Sequence, residues 1–358
     1  MTSYSSRAFL PYPDATDPVT SYPTLGANLA GRLDYLPNRN RVMNGEYLVA
    51  QRSAGGGVST GTYVADRWRI DFDGAAGTRL ASLIKFANGT SVGGTQFRQY
   101  HSWNITSAGT ATTQRVGQRI EDVRTLAGEN IALSFYASSS AAKTVTVKAV
   151  QYFGTGGTPS TSVTTTLGTA STTTTWTRFV YTATLPNLSG KTIGSNLDSY
   201  LEIHFDYGSQ IGTMNLVGVQ LENNTNATPY ERVSEGDELA RCRRYYYEIV
   251  ENNVTGADPF GVGVKDATTT AQIWTAFPVT MRTAPAFSSS QTLGDFGFYD
   301  AGFVNRNTTA LPTMPAGFTY GARILLTAST GTSASGTGTM GYLSFTGSPP
   351  WLGFSAEL

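Results

Sequence analysis

Two histidines, His101 and His204, and one cysteine, Cys242, are the scarcest side chains here that could do acid–base or nucleophilic chemistry. His204 lies in YLEIHFDY between Glu202 and Asp206, so three ionisable groups share one face of an extended segment. Successive residues on such a face are roughly 6.5–7 Å apart. A metal holds its ligand atoms at about 2 Å, so one flat strand does not close a metal site by itself. The alternation predicts a solvated sheet face rather than an acid–base centre. A lone cysteine excludes an intrachain disulfide and a multi-cysteine zinc site. No GxSxG, HExxH or Ser-His-Asp pattern is present, and no pair of carboxylates stands out for glycoside cleavage. Gly154, Gly156 and Gly157 fit a turn needing positive φ. That loop lacks the Lys-Ser/Thr of a phosphate cradle, and no helix pattern follows it. The residues predict no catalytic group.

Composition narrows the partners. Charged residues are only 14%, and 25 Lys and Arg balance 25 Asp and Glu, so no cationic surface is available to displace counterions from nucleic acid. The same balance is poor for attachment to an anionic membrane. No apolar run approaches the roughly 20 residues that span a bilayer, which predicts no membrane insertion. The opening MTSYSSRAFLPYP has no charged-then-apolar pattern, which predicts a protein made in a cytoplasm without a secretion leader. Abundant Thr, Val, Tyr and Phe favour strands, and the 39 glycines, with Ser, Asn and Pro, supply the turns between them.

These elements must position whatever the chain uses. Residues 1–40 are proline-punctuated and then read as an arm with a short helix. Leu29, Leu33 and Leu36 share a stripe there, with the 4-then-3 spacing of a coiled-coil seam and Thr24 as N-cap. The stripe suits an assembly contact or packing on its own domain, and Gly26 and Gly31 weaken the helix. Residues 41–234 alternate with period two. Ile131, Leu133 and Phe135 face one way; Phe179, Tyr181, Ala183 and Leu185 share a face; Leu201, Ile203, Phe205 and Tyr207 share another. Alternating strands separated by Gly/Thr/Ser turns predict an all-β fold, an antiparallel β-sandwich. SEGDELARCRRYYYEI breaks the period. Ser234 caps a predicted connecting helix over 235–245, with Asp237 and Glu238 early and Arg241, Arg243 and Arg244 late, an order that complements the helix dipole. Residues 246–358 return to short strands and predict a smaller C-terminal β domain whose edges close against copies of itself.

Several phrases recur in a known pattern. NRNRVMNGEYLVAQRS is followed by YVADRWRID, GQRIEDVRTLAGENIALSFYAS, VQYFGTGGTPS, TWTRFVYTATLPNLSGKTIG and VGVQLENNTNATPYERVSEGDELARCRRYY. Their order and spacing over residues 38–246, a little over half the chain, resemble a tail-fibre or minor structural protein domain of bacteriophages and prophages. That domain is similar to the jelly-roll sandwiches of carbohydrate-binding modules. One departure is Ala50, where the family commonly has Trp before the first Gln-Arg.

The resemblance implies a non-enzymatic structural subunit of a virion, assembled in the host cytoplasm. It would be a fibre, spike or minor tail protein, a homotrimer that docks to other virion proteins through residues 1–40 and contacts host-surface polysaccharide. Two alternatives stay open: a head-decoration, collar or baseplate protein without receptor binding, and a polysaccharide depolymerase. Glycan contact would use aromatics stacked on sugar faces beside polar side chains. The candidates are Tyr100, Trp103, Tyr152 and His204 on the sandwich and Trp274 and Trp351 in the terminal domain; Trp68 and Trp176 are assigned to the core. Jelly-roll binding modules often carry a structural calcium, for which Asn44, Glu46 and Asp66 are the candidate ligands. No other cofactor is implied.

Overall fold

A computed structural model describes residues 39–52, 56–251, 257–300, 304–329, 336–344 and 349–358, together with 3–4 and 11–12. The predicted leucine stripe of Leu29, Leu33 and Leu36 lies outside the described residues, as does nearly all of the arm. Strand β1 (Ser3–Tyr4) pairs with β2 (Pro11–Tyr12).

The next twelve strands are β3 (Gly56–Gly57), β4 (Thr62–Ala65), β5 (Trp68–Phe72), β6 (Thr78–Lys85), β7 (Gln99–Ser107), β8 (Gln114–Glu121), β9 (Asn130–Ser139), β10 (Lys143–Tyr152), β11 (Val163–Thr172), β12 (Thr177–Thr184), β13 (Tyr200–Asp206) and β14 (Gly212–Asn223). They form two six-stranded antiparallel sheets. The first runs β11-β10-β13-β8-β5-β4 and the second β12-β9-β14-β7-β6-β3. Chain neighbours such as β8 and β9 fall in different sheets, the crossing pattern of a jelly-roll sandwich.

Alternation decides which side chains fill the space between the sheets. Trp68 and Phe205 from the first sheet meet Trp103 and Phe135 from the second in one buried cluster. Phe135 and Phe205 pack edge-on with ring centroids 4.7 Å apart. Each such ring, fully buried, contributes on the order of 2–3 kcal/mol by area. The segment before β3 closes one end. Asn44, at φ 54, donates from Nδ2 to the carbonyls of Val49 (2.8 Å) and Asp66 (2.9 Å) and accepts from Val49 N (3.0 Å). Trp68 Nε1 donates to Asn44 O at 2.8 Å, tying this loop to the core.

Helix α1 (Glu235–Arg243) follows the sandwich. Ser234 Oγ accepts from Asp237 N at 3.2 Å, and Cys242 is buried on the inner face. The remaining strands are β15 (Tyr246–Val250), β16 (Ala257–Lys265), β17 (Thr270–Ala276), β18 (Ala286–Ser289), β19 (Phe296–Asp300), β20 (Val304–Asn307), β21 (Thr313–Phe318), β22 (Gly321–Thr327), β23 (Gly338–Ser344) and β24 (Trp351–Ser355). They make a three-stranded sheet, β15-β24-β18, and a seven-stranded sheet, β20-β19-β23-β16-β17-β22-β21, around a second core of Phe260, Ile273, Phe296, Phe298, Leu343 and Phe354.

Charged and aromatic groups join the two β units. Arg52 Nη2 pairs with Glu357 Oε1 at 2.7 Å, and Arg67 also binds the Glu357 carboxylate. The Arg52 guanidinium lies between the rings of Tyr63 (4.0 Å) and Tyr246 (4.1 Å), and that of Arg67 lies 3.5 Å from the Tyr245 ring centre. Arg282 donates to the carbonyls of Ala356 (2.8 Å) and Glu357 (3.0 Å) in its own domain and of Leu197 (3.3 Å) in the sandwich.

Candidate functional site

The outer face of the first sheet carries the densest set of functional groups. Register places them in rows. Lys148, His204, Gly117 and Arg69 are cross-strand neighbours in one row; Thr146, Asp206, Arg115 and Asp71 form the next. On the other side lie Val150, Glu202 and Arg119, then Tyr152, Tyr200 and Glu121.

Contrary to the solvated face expected from alternation, Glu202 (6% exposed), His204 (3%) and Asp206 (8%) are buried. Their phase along β13 is as predicted, with Leu201, Ile203, Phe205 and Tyr207 in the core. What removes them from water is the long side chains of neighbouring strands, whose stems cover the middle of the sheet. Glu202 receives His204 Nδ1 at 3.0 Å, Arg119 Nε at 3.4 Å and Arg115 Nε at 3.6 Å. Burial pushes the Glu202 carboxyl upward, but the His204 hydrogen bond and charge, with the two arginines, outweigh it and hold it at about 2. Asp206 pairs with Lys148 Nζ at 2.9 Å and accepts from Gly208 N at 3.0 Å. Gly117 makes room for His204, since a Cβ there would come within 2.7 Å of the His204 Cβ.

One end of these rows is aromatic. Tyr152 and Tyr200 are half-buried and stacked, 26° from parallel with centroids 4.6 Å apart, and the Arg119 guanidinium lies 4.6 Å from the Tyr200 centroid. Just beyond is a groove of about 530 Å³ at the domain junction, lined by Glu121, Asp122, Arg124, Asn196, Leu197 and Arg282. The face thus offers half-exposed ring surfaces and partly exposed cationic ends in one continuous strip, above carboxylates that are buried and already paired. Such a surface can stack on sugar rings and bond their hydroxyls.

The six predicted glycan-contact residues scatter. Tyr152 and His204 fall on this face. Tyr100 stands on the outer side of the second sheet. Trp103 is wholly buried against Tyr207 and is unavailable to any ligand, because β7 turns His101, Trp103 and Ile105 inward. Trp274 is 37% exposed on the seven-stranded sheet beside Phe318 and Tyr320. Trp351 is half-buried in β24. Trp68 is core as expected; Trp176, assigned to the core, is half-buried outside the second sheet. Tyr200, Arg115, Arg119 and Lys148 were not among the predicted glycan contacts. Tyr200 is in phase with Glu202 and His204, a signal that alternation alone carries, whereas the partners from β8 and β10 are set by register.

The candidate calcium ligands are engaged inside the chain. The Asn44 side chain is used by Val49 and Asp66, Glu46 accepts from Arg98 N at 2.7 Å, and Asp66 accepts from Gln51 N at 3.1 Å. No group of three or more His, Cys, Asp or Glu placed to hold a metal occurs among the described residues. No helix among them is long and apolar enough to cross a membrane.

No family profile matches the sequence, and no curated protein matches it. Solved structures show local likeness. A family 4 carbohydrate-binding module is 19% identical, matching 44% of this chain and 88% of its own, at a TM-score of 0.29. The family 11 carbohydrate-binding module of a cellulosomal cellulase of Clostridium thermocellum is 12% identical over 49% of this chain and 100% of its own, at 0.29. The enzymatically active domain of tailspike protein 4 of bacteriophage CBA120 is 15% identical over 52% of this chain and 22% of its own, at 0.32. At such scores the functional reading has to rest on the side chains themselves.

Proposed function

We propose that this chain is a non-catalytic structural subunit of a bacteriophage virion, a fibre, spike or minor tail protein, that contacts host-surface glycan through the outer face of its first sheet. The observation that carries the glycan part is the Tyr152–Tyr200 stack set beside the partly exposed Lys148 and Arg119 side chains on one face. The virion part is supported by the phage-like phrases over residues 38–246.

A non-catalytic role is supported by the state of Glu202. A general acid works best with a pKa near the operating pH. The Glu202 carboxyl, held at about 2, has no proton to donate, and it is buried with both oxygens engaged by His204 and two arginines, out of reach of a substrate. Homotrimer formation is supported by the outer face of the seven-stranded sheet. Val262 (65% exposed), Val264 (51%) and Trp274 lie there on the adjacent central strands β16 and β17. Apolar side chains in the middle of a sheet face are a natural place for another copy to pack.

The test is a host-surface glycan array probed with the intact protein and with a Tyr152→Ala/Tyr200→Ala variant. Binding by the wild type, weakened about tenfold or more in the variant, is the expected result. Absence of binding to any host polysaccharide removes the receptor role and leaves the decoration, collar or baseplate reading, whereas equal binding by both removes the first-sheet strip as the contact surface.

A further inference from the structure

We infer that the outer side of the second sheet carries a separate saccharide site, for an uncharged sugar, built on Phe86, Tyr100 and Trp176. The inference rests on the glycan-contact reading only in that the chain meets saccharide at all; its residues are on the opposite sheet.

Strand phase puts these rings outside. Thr177, Phe179, Tyr181 and Ala183 pair with the inward residues Ala137, Phe135, Leu133 and Ile131, so Trp176, one residue earlier, faces outward. On β7 the inward set His101, Trp103 and Ile105 leaves Tyr100, Ser102 and Asn104 outside. The three rings hold one another. Phe86–Tyr100 centroids are 4.7 Å apart, Tyr100–Trp176 5.2 Å and Phe86–Trp176 5.6 Å, and all three are half-buried. A ring cluster braced by mutual contact presents its free surface without losing further side-chain freedom on binding.

The row beside the rings carries hydroxyls and amides, and in the next row the Arg178 guanidinium is held by the Thr228 carbonyl at 2.6 Å. Ser82, Ser102, Asn215 and Ser138 form one cross-strand row without a charge. Asn215 Nδ2 donates to Ser138 Oγ at 3.1 Å, while its Oδ1 is closed to solvent and has no donor among the described residues. An acceptor without a donor is satisfied once a rotation of the Asn215 side chain opens it to an incoming hydroxyl. Phe86 also forms part of the wall of a groove of about 540 Å³ that contains Asn88, Gln96 and Gln99. The Arg98 charge in that groove is paired with Glu235 at 2.6 Å, and Lys85 is a second cation in its lining. Ring surface, neutral hydrogen-bonding groups and a neighbouring groove fit two or more linked neutral sugars, one stacked on the rings and the next in the groove.

The experiment is titration of the full chain with three uncharged hexasaccharides, of β-1,4-linked glucose, α-1,4-linked glucose and β-1,4-linked N-acetylglucosamine, followed by tryptophan fluorescence and calorimetry. At least one is expected to bind. Trp176→Ala should weaken it about tenfold, Trp176→Phe should retain most of it, and Tyr152→Ala/Tyr200→Ala should leave it unchanged. Tyr100→Ser is the second reporter should Trp176→Ala melt early. Equal binding by wild type, Trp176→Ala and Tyr100→Ser, binding lost only in the Tyr152/Tyr200 variant, or no binding of any of the three sugars overturns the site. Loss of host-glycan binding in the Tyr152/Tyr200 variant with hexasaccharide binding intact separates this site from the strip on the first sheet.

Discussion

Arg244 grips Glu121 with both ends of its guanidinium: Nη2 lies 2.9 Å from each carboxylate oxygen and Nε 3.2 Å from Oε2, where Tyr245 Oη also donates at 3.0 Å. Glu121 ends β8 of the sandwich, and Arg244 and Tyr245 lie between α1 and the second β unit. Both members of the ion pair are over a third exposed, so water screens it and its contribution is about 1 kcal/mol or less. Glu121→Ala is therefore expected to lower the melting temperature by only a few degrees. Limited proteolysis at the junction should accelerate more than the melt suggests, because local opening there no longer breaks a bidentate contact. A variant as resistant as the wild type contradicts this role.

His101 predicts an acid limb. Burial alone pushes its imidazole down to about 3 from an ordinary 6.5, and neither ring nitrogen has a hydrogen-bond partner among the described residues. The unfolded chain takes up a proton below about pH 6.5 while the folded chain stays neutral until about 3. Stability therefore falls as pH drops through that window, by up to about 1.4 kcal/mol per unit. Glu46 and Asp66, held above their ordinary values chiefly by burial, act in the opposite sense, so the useful quantity is a difference. Between pH 6.5 and 4.5, urea midpoints of wild type should fall towards, or further below, those of His101→Leu. Parallel midpoints across that range would exclude the effect.

Asn44 predicts a stability defect out of proportion to its size. Alanine removes three hydrogen bonds and leaves an ordinary residue at φ 54, a region that asparagine tolerates better. A loss of about 2–4 kcal/mol in urea unfolding is expected, and Asn44→Asp should be no milder, because its second carboxylate oxygen would face the Val49 and Asp66 carbonyls with no proton to donate. With the Asn44 side chain occupied in this way, melts in calcium and in chelator are expected to coincide. A calcium-dependent rise of several degrees would mean that these groups rearrange around an ion.

Val262 tests self-association. Val262→Asp puts a charge on the apolar face of the seven-stranded sheet while leaving the fold, since that side chain is 65% exposed. Light scattering should show trimer for wild type and a shift towards monomer for the variant. Trimer in both would move the contact elsewhere.

How much of this was readable from residues depends on the range of the interaction. The inward sets Ile131/Leu133/Phe135 and Leu201/Ile203/Phe205/Tyr207 are local alternation, and both lie in the core. Ser234 as N-cap was equally local. Glu202 looked solvated because the arginines that cover it lie on another strand, Arg119 being 83 positions away in sequence. Trp103 and Tyr100 had opposite fates that phase along QYHSWNITS already contains, yet an aromatic judged by type alone hides it. Trp176 precedes its strand, one residue out of step with Phe179 and Tyr181, so it packs on the small buried cluster of Val92, Phe97, Tyr136 and Val217 rather than between the sheets.

Strands β15 and β24 lie side by side, and each continues straight into the junction, through Tyr245 on one hand and Glu357 on the other. The terminal β unit is thus moored by two lines rather than hinged on one. A load on that unit would be shared between the two. Such a coupling would resist bending of one β unit against the other more than a single connection would.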